Sequence, residues 1–299
     1  MRVVFTSDVH ADFGPVNAAL VPHLARQARA LAPDIFLLAG DVADHAIEVG
    51  ETLRAFRGVG SLRVFVAGNH DLYSEPAPAG LVTSREKFES MLPRVAAAAG
   101  FEYLGLEPVE WRGLGIVGTP GWWDYSLRDP GMDAFVHPQH YRSGIWRMRR
   151  AFDRGAILWP RVGAAPPAGA LPAGLPGEWA GDEEICAHML ALVDDQLRRC
   201  AGVRTVLGAV HVLPCVEAVE RHAFGPSGFH DATLGSTAFG ERFRADRRAR
   251  ALVTGHLHRP CDVRLGAMRV VSRPVGHRRD PGIDLAATAA RCLGLLEVD

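Results

Sequence analysis

Lysine is nearly missing from this chain. Of its 33 basic residues only Lys87 is a lysine, and the rest are arginine. With Ala, Gly and Pro abundant, this reads as a genomic coding bias and not as a phosphate-binding signature. Net charge is also scarce. The 34 acidic residues leave −1 at neutral pH, which argues against a general nucleic-acid-binding surface. The five cysteines, Cys186, Cys200, Cys215, Cys261 and Cys292, are odd in number and scattered, with no Cys-x-x-Cys pair. A disulfide framework and a structural zinc ribbon are both disfavoured. No apolar run is long enough to span a bilayer. The first residues enter a strand directly, without a basic region, apolar stretch and cleavage site. The expected setting is a reducing cytoplasm, with no membrane partner.

What is present is enough for a large core, since 48% of 299 residues are hydrophobic. Short apolar runs at Arg2–Ser7, Asp34–Ala39 and Leu62–Ala67 alternate with helical periodicity from Pro15 to Leu31 and through about Phe56. Strands alternating with helices predict βαβ units and a parallel sheet. Further strands are predicted over Val203–Val210 and Ala251–Thr254, with a last one within Arg291–Val298. Hairpins are predicted around Trp111–Thr119 and, turning at Gly266, over Asp262–Ser272. The spacing predicts helices over Gln139–Arg154 and Asp182–Cys200. Residues 160–181 are Pro- and Gly-rich and read as an irregular surface loop. No second core follows it, so one domain over residues 1–299 is expected.

The chemistry sits just past the strand ends. Asp8-Val9-His10, Gly40-Asp41, Gly68-Asn69-His70-Asp71, His211 and Gly255-His256-Leu257-His258 follow one another in order. Open α/β sheets place ligands there because the loops converge on a rigid frame. These motifs supply two carboxylates, one amide oxygen and four imidazoles, with one histidine in reserve. That suffices for two divalent cations sharing one bridging aspartate, and Asp41 can bridge with its two carboxylate oxygens. Phosphoesters resist hydrolysis because the charged centre repels hydroxide. Two cations a few ångströms apart make hydroxide available near neutral pH and neutralise the developing charge. Hard carboxylates and borderline imidazoles suit Mn and Fe, and also Zn, Co or Ni. His70 has no obvious metal to bind. With its ring oriented by Asp71 it could donate to the leaving oxygen or stabilise the phosphoryl charge.

The pattern Asp-x-His, Gly-Asp, Gly-Asn-His-Asp, His, Gly-His-x-His resembles the calcineurin-like metallophosphoesterase superfamily, from Asp8 to about Pro274. Within it the chain is most similar to the class III cyclic-nucleotide-phosphodiesterase-like group. The resemblance implies an α/β fold with a two-sheet β-sandwich flanked by helices, a four-layer α/β/β/α arrangement. It implies one metal held by Asp8, His10, Asp41 and His258 and another by Asp41, Asn69, His211 and His256. His70 then corresponds to the catalytic histidine and Asp71 to its orienting partner. Gly40-Asp41-Val42-Ala43-Asp44-His45 lacks the Asp-Arg-Gly element of protein phosphatases, which turns the expectation from phosphoproteins to a small phosphodiester, nucleotide-like or otherwise. A nuclease, a nucleotide-conjugate pyrophosphatase and a metal-loaded scaffold without activity are the alternatives.

Other residues carry weaker expectations. Trp122, Trp123 and Tyr125 could form a stacking platform for a nucleobase, but ordinary loop packing is favoured. His45 could contact a phosphate. His137, His230 and His277 could reach the cleft. Arg147, Arg149 and Arg150 read as a solvated helix face.

Overall fold

The computed structural model of the chain describes residues 1–78, 80–146, 149–150, 153, 155–161, 179–221 and 226–298. In chain order the strands of its two large sheets are β1 (Arg2–Thr6), β2 (Ile35–Ala39), β3 (Leu62–Val66), β4 (Glu102–Leu104), β5 (Val109–Trp111), β6 (Leu114–Thr119), β7 (Thr205–Val210), β8 (Ala249–Val253), β9 (Cys261–Leu265), β10 (Met268–Ser272) and β11 (Gly294–Glu297). The first sheet has the order β11-β1-β2-β3-β4 and is parallel except for β11. The second has the order β9-β10-β8-β7-β6-β5, with a parallel centre and an antiparallel hairpin at each edge.

Side-chain alternation explains the layers. Val3, Phe5, Ile35, Leu37, Ala39, Val64 and Val66 point from the first sheet into one core, where they meet Leu114, Ile116, Leu207, Ala209, Ala251 and Val253 of the second. Val4, Phe36, Leu38 and Phe65 point the other way, against helices. Strands buried on both faces read as continuous apolar runs, as β1 and β2 do. Helices α1 (Pro15–Ala30), α2 (Ala46–Ala55) and α3 (Leu92–Ala99) are followed by the short α4 (Pro138–Ser143). After it come α5 (Asp182–Arg199), α6 (Thr237–Ala245) and α7 (Leu285–Arg291). The α1–α7 and α2–α3 pairs cover the first sheet, while α5 and α6 cover the second. The result is the two-sheet α/β sandwich with helical outer layers. Among the described residues no helix is long and apolar enough to cross a membrane.

One predicted helix is corrected. Among its described residues the span Gln139–Arg154 holds only α4, which ends where Gly144 turns left-handed (φ 65°). Ile145–Trp146 then pairs with Arg149–Arg150 as a two-stranded ribbon. Glycine adopts that backbone without steric penalty and so ends the helix despite a favourable pattern beyond it. Most of the Pro- and Gly-rich loop, and Arg147, lie outside the described residues.

Candidate metal centre

Five of the seven metal-ligand candidates occupy left-handed backbone: Asp8 (φ 53°), His10 (44°), Asp41 (54°), His256 (71°) and His258 (58°). Such conformations are costly for non-glycine residues and gather at functional sites. The loops are held by one another. The Asp8 N–H donates to the Gly40 carbonyl (2.9 Å), the His10 N–H to that of Asp41 (3.0 Å), and the Gly276 N–H to that of Asp8 (2.9 Å). Tight turns past Thr6, and not a continuing strand, therefore aim Asp8 and His10. Gly40 (φ 86°) is pressed against the site, and a β-carbon there would collide with the imidazole of His211.

The turns gather two donor groups. Asp8, His10, Asp41 and His258 form one, and Asp41, His211 and His256 the other, each with ligand atoms within 4.8 Å of one another, and His277 sits equally close to His10 and His258 of the first. Asp41 belongs to both, and Asn69 joins the second, its Oδ1 lying 2.9 Å from His256 Nδ1. All seven sequence-named residues are thus brought together. Buried polar atoms normally find partners, yet Asp8 Oδ2 has none, and His211 Nε2 faces only the Asp41 carboxylate, 3.2 Å from its Oδ2. The Nδ1 of His211 lies 2.8 Å from the Ala39 carbonyl. An N–H must sit there, so Nε2 faces the centre and is the nitrogen that offers a lone pair when the ring is neutral. His256 is set the same way, with Nε2 lying 3.1 Å from the Thr233 carbonyl and Nδ1 turned inward. Asn69 Nδ2 donates to Asp153 Oδ1 (2.9 Å), which turns the amide oxygen inward. Once deprotonated, these ring nitrogens and oxygens converge as lone pairs on one centre, a donor set that fits divalent cations.

Electrostatics agree. Burial pushes the Asp41 carboxyl up, but the imidazoles of His211 and His70 outweigh it and hold it well below the usual range. Burial depresses His10 to about 2 and His258 to about 4, so both rings offer lone pairs at neutral pH.

His70 lies outside both groups. It opens a 3-10 turn (His70–Leu72) that rotates it away from Asn69. The expectation that Asp71 orients it is corrected. The Asp71 carboxylate points inward and accepts the backbone N–H groups of Asp41, Val42, Ala43 and Gly68 at 2.7–3.1 Å. Asp44 holds the ring instead, with Oδ1 2.8 Å from His70 Nδ1. Tyr73 Oη is 3.3 Å from His70 Nε2 and donates to Asp153 Oδ1 at 2.8 Å. Burial would lower His70, but the carboxylates of Asp41 and Asp44 raise it to about 10. A cation alongside, being of like charge, would pull this value down again.

The cleft over the centre encloses about 740 Å³, and His230, His277, Phe13 and Arg279 line its rim. Phe13 stacks on His277 at 3.9 Å. A second cavity of about 240 Å³ adjoins it, sharing Asp153 and Thr233. The nucleobase platform is not formed. Trp122, Trp123 and Tyr125 are buried, Trp122 stacks on Trp123 at 4.1 Å, and Trp122 and Tyr125 both donate to Asp182. His45 precedes α2 on the surface, 3.6 Å from Glu75, and His137 caps α4. Asp44, Tyr73 and Asp153 are the residues that the sequence reading did not single out. For Asp44 a signal existed, three positions past Asp41.

Residues 1–142 match the family model described as calcineurin-like phosphoesterase. No curated protein matches the sequence. Among solved structures, the phosphopantetheinyl hydrolase of Mycobacterium tuberculosis is similar at TM-score 0.68 and 20% identity. That match covers 99% of this chain and 96% of that one. A protein of Thermus thermophilus matches at 0.52 and 13%, covering 98% and 97%. A dimetal phosphatase of Danio rerio matches at 0.50 and 14%, covering 91% and 86%. These likenesses concern the fold.

Proposed function

We propose that the chain, whose residues 1–142 match the calcineurin-like phosphoesterase family model, is a two-metal phosphoester hydrolase acting on a small phosphodiester. The observation that carries the reading is the pair of donor groups sharing Asp41. Asp8, His10, Asp41 and His258 would hold one cation, and Asp41, Asn69, His211 and His256 the other. When bound, the pair supplies an activated water and neutralises phosphoryl charge. Mn and Fe are the first choices, with Zn, Co and Ni compatible. His70 faces the cleft beside this centre with Nδ1 held by Asp44, and the proton on Nε2, which rests only 3.3 Å from Tyr73 Oη, passes to the leaving oxygen. Asp44 fixes its orientation and favours its charged form.

The missing Asp-Arg-Gly element and the near-neutral charge favour a small diester over a phosphoprotein or duplex DNA. A phosphopantetheinyl group on a hydroxyl is itself a phosphodiester, and the name of the Mycobacterium tuberculosis structure supports testing that class. Five free cysteines accord with a cytoplasmic setting. The test is a panel of p-nitrophenyl mono- and diesters, cyclic nucleotides, a phosphopantetheinylated protein and a phosphopeptide, each with the five metals. Diester hydrolysis above the other classes is expected. A phosphopeptide cleaved far better than every diester would reverse the order, and no turnover on any ester would sink the hydrolase reading.

A further inference from the structure

The only lysine of the chain is fully buried. Lys87 opens a π-helical stretch (Lys87–Met91) just before α3, and such irregular turns recur near functional sites. A buried ammonium is tolerated only when it is paired and fully hydrogen-bonded. This one uses all three N–H groups. They reach the carbonyl of Asp44 at 2.8 Å, the carbonyl of Tyr73 at 2.9 Å and Glu75 Oε2 at 3.0 Å. Glu75 offsets the charge and also accepts the N–H of Ala46, the first residue of α2, at 3.0 Å.

The two carbonyls belong to the two residues that grip His70. Asp44 touches its Nδ1 and Tyr73 its Nε2, and the Tyr73 ring lies 4.5 Å from the imidazole. Asp44 precedes α2, while Tyr73 follows the 3-10 turn of His70, so the two arrive from different segments. One ammonium joins them. Every other basic residue of the chain is arginine. A planar guanidinium directs its donors in a fork, whereas an ammonium directs three donors radially from one compact point. Lysine thus stands where three oxygens converge on one small buried volume.

We propose that Lys87 is a positioning residue for His70, holding the main chains of Asp44 and Tyr73 so that their side chains clamp both ring nitrogens. The inference rests on reading His70 as the proton donor of a phosphoester hydrolase. Lys87→Met keeps the length and removes the donors. It should leave metal content and KM near wild type and lower kcat on alkyl phosphodiesters by about tenfold or more. The loss should be smaller on p-nitrophenyl diesters, whose leaving group needs no proton. A purely structural role would scale both substrates alike with the folded fraction. Equal losses, or an unchanged kcat on alkyl esters, would overturn the proposal.

A second measurement does not require Lys87→Met to fold. Protein labelled with 15N-lysine has a single side-chain ammonium signal. That signal should be visible at mildly alkaline pH, because the group is shielded from exchange, and it should shift in His70→Ala. No visible signal, or a signal that His70→Ala leaves in place, would also overturn the proposal. If wild type hydrolyses none of the esters, the hydrolase reading fails, while the ammonium signal still decides whether Lys87 and His70 are coupled.

Discussion

His10 and His258 meet Nε2 to Nε2 at 2.9 Å, although 248 positions separate them in the chain. Burial keeps both rings neutral near pH 7, so the two nitrogens suit the same cation under the proposed function. The protein is expected to take up about two divalent ions per chain, measured by elemental analysis after gentle purification. Asp41→Asn touches both donor groups and should lose most of that metal. A folded Asp41→Asn protein that keeps both ions and its activity would refute the shared-ligand assignment.

The metal-free protein should be most stable near the ordinary histidine value of 6.5. Burial and neighbouring imidazoles hold His10 and His258 below that value, at about 2 and about 4. The unfolded chain therefore takes up protons first, and stability falls as pH drops below 6.5. His70 and His211 are raised, against burial, to about 10 and about 9, chiefly by Asp41. Their contribution is complete below 6.5 and is lost as pH rises through 9 and 10. Thermal melts of chelator-treated protein across this range should show the maximum. A transition that climbs steadily through pH 9 would contradict the second half.

His70→Ala should retain metal and fold but lose about a hundredfold or more in rate on alkyl diesters, the usual share of a positioned acid. Asp44→Asn should follow it in the same direction with a smaller loss, since it leaves the ring but weakens its grip. Both losses should shrink on p-nitrophenyl esters. Equal losses on the two classes would leave His70 as an electrostatic clamp, and loss of metal would make it a ligand.

Asp71→Ala should behave differently from either. It would strand four buried backbone N–H groups, each costing about 1–3 kcal/mol when unsatisfied. Stability should drop by about 3 kcal/mol or more, and the metal loops should loosen with it. Denaturant unfolding would show this. A stable Asp71→Ala protein impaired only in turnover would restore Asp71 to the role of ring partner.

The strands and the metal-binding candidates were legible because each motif follows an apolar run, and strands buried on both faces leave little ambiguity. The partner of His70 was not. Asp71 is adjacent in sequence, but the 3-10 turn swings it beneath the loop, and Asp44 comes from another loop altogether. Sequence adjacency says nothing about which carboxylate a turn brings to a ring. The left-handed backbone at Asp8, His10, Asp41, His256 and His258 was equally hidden, since these residue types do not announce that conformation. Asp153 sat inside a predicted helix that Gly144 cuts short. Trp122 and Trp123 were legible as packing residues, and they do pack.

The edge of the first sheet has a consequence for the order in which the protein matures. β11 pairs with β1, with Val4 opposite Leu295, and the strand that presents Asp8 is an open edge until that partner arrives. His256 and His258 also come late. A ribosome adding about 5–20 residues each second therefore releases Asp8, His10, Asp41 and Asn69 many seconds before their counterparts. A nascent chain stalled before residue 255 should have no complete metal centre, and hydrolysis should begin only after the last strand has left the tunnel.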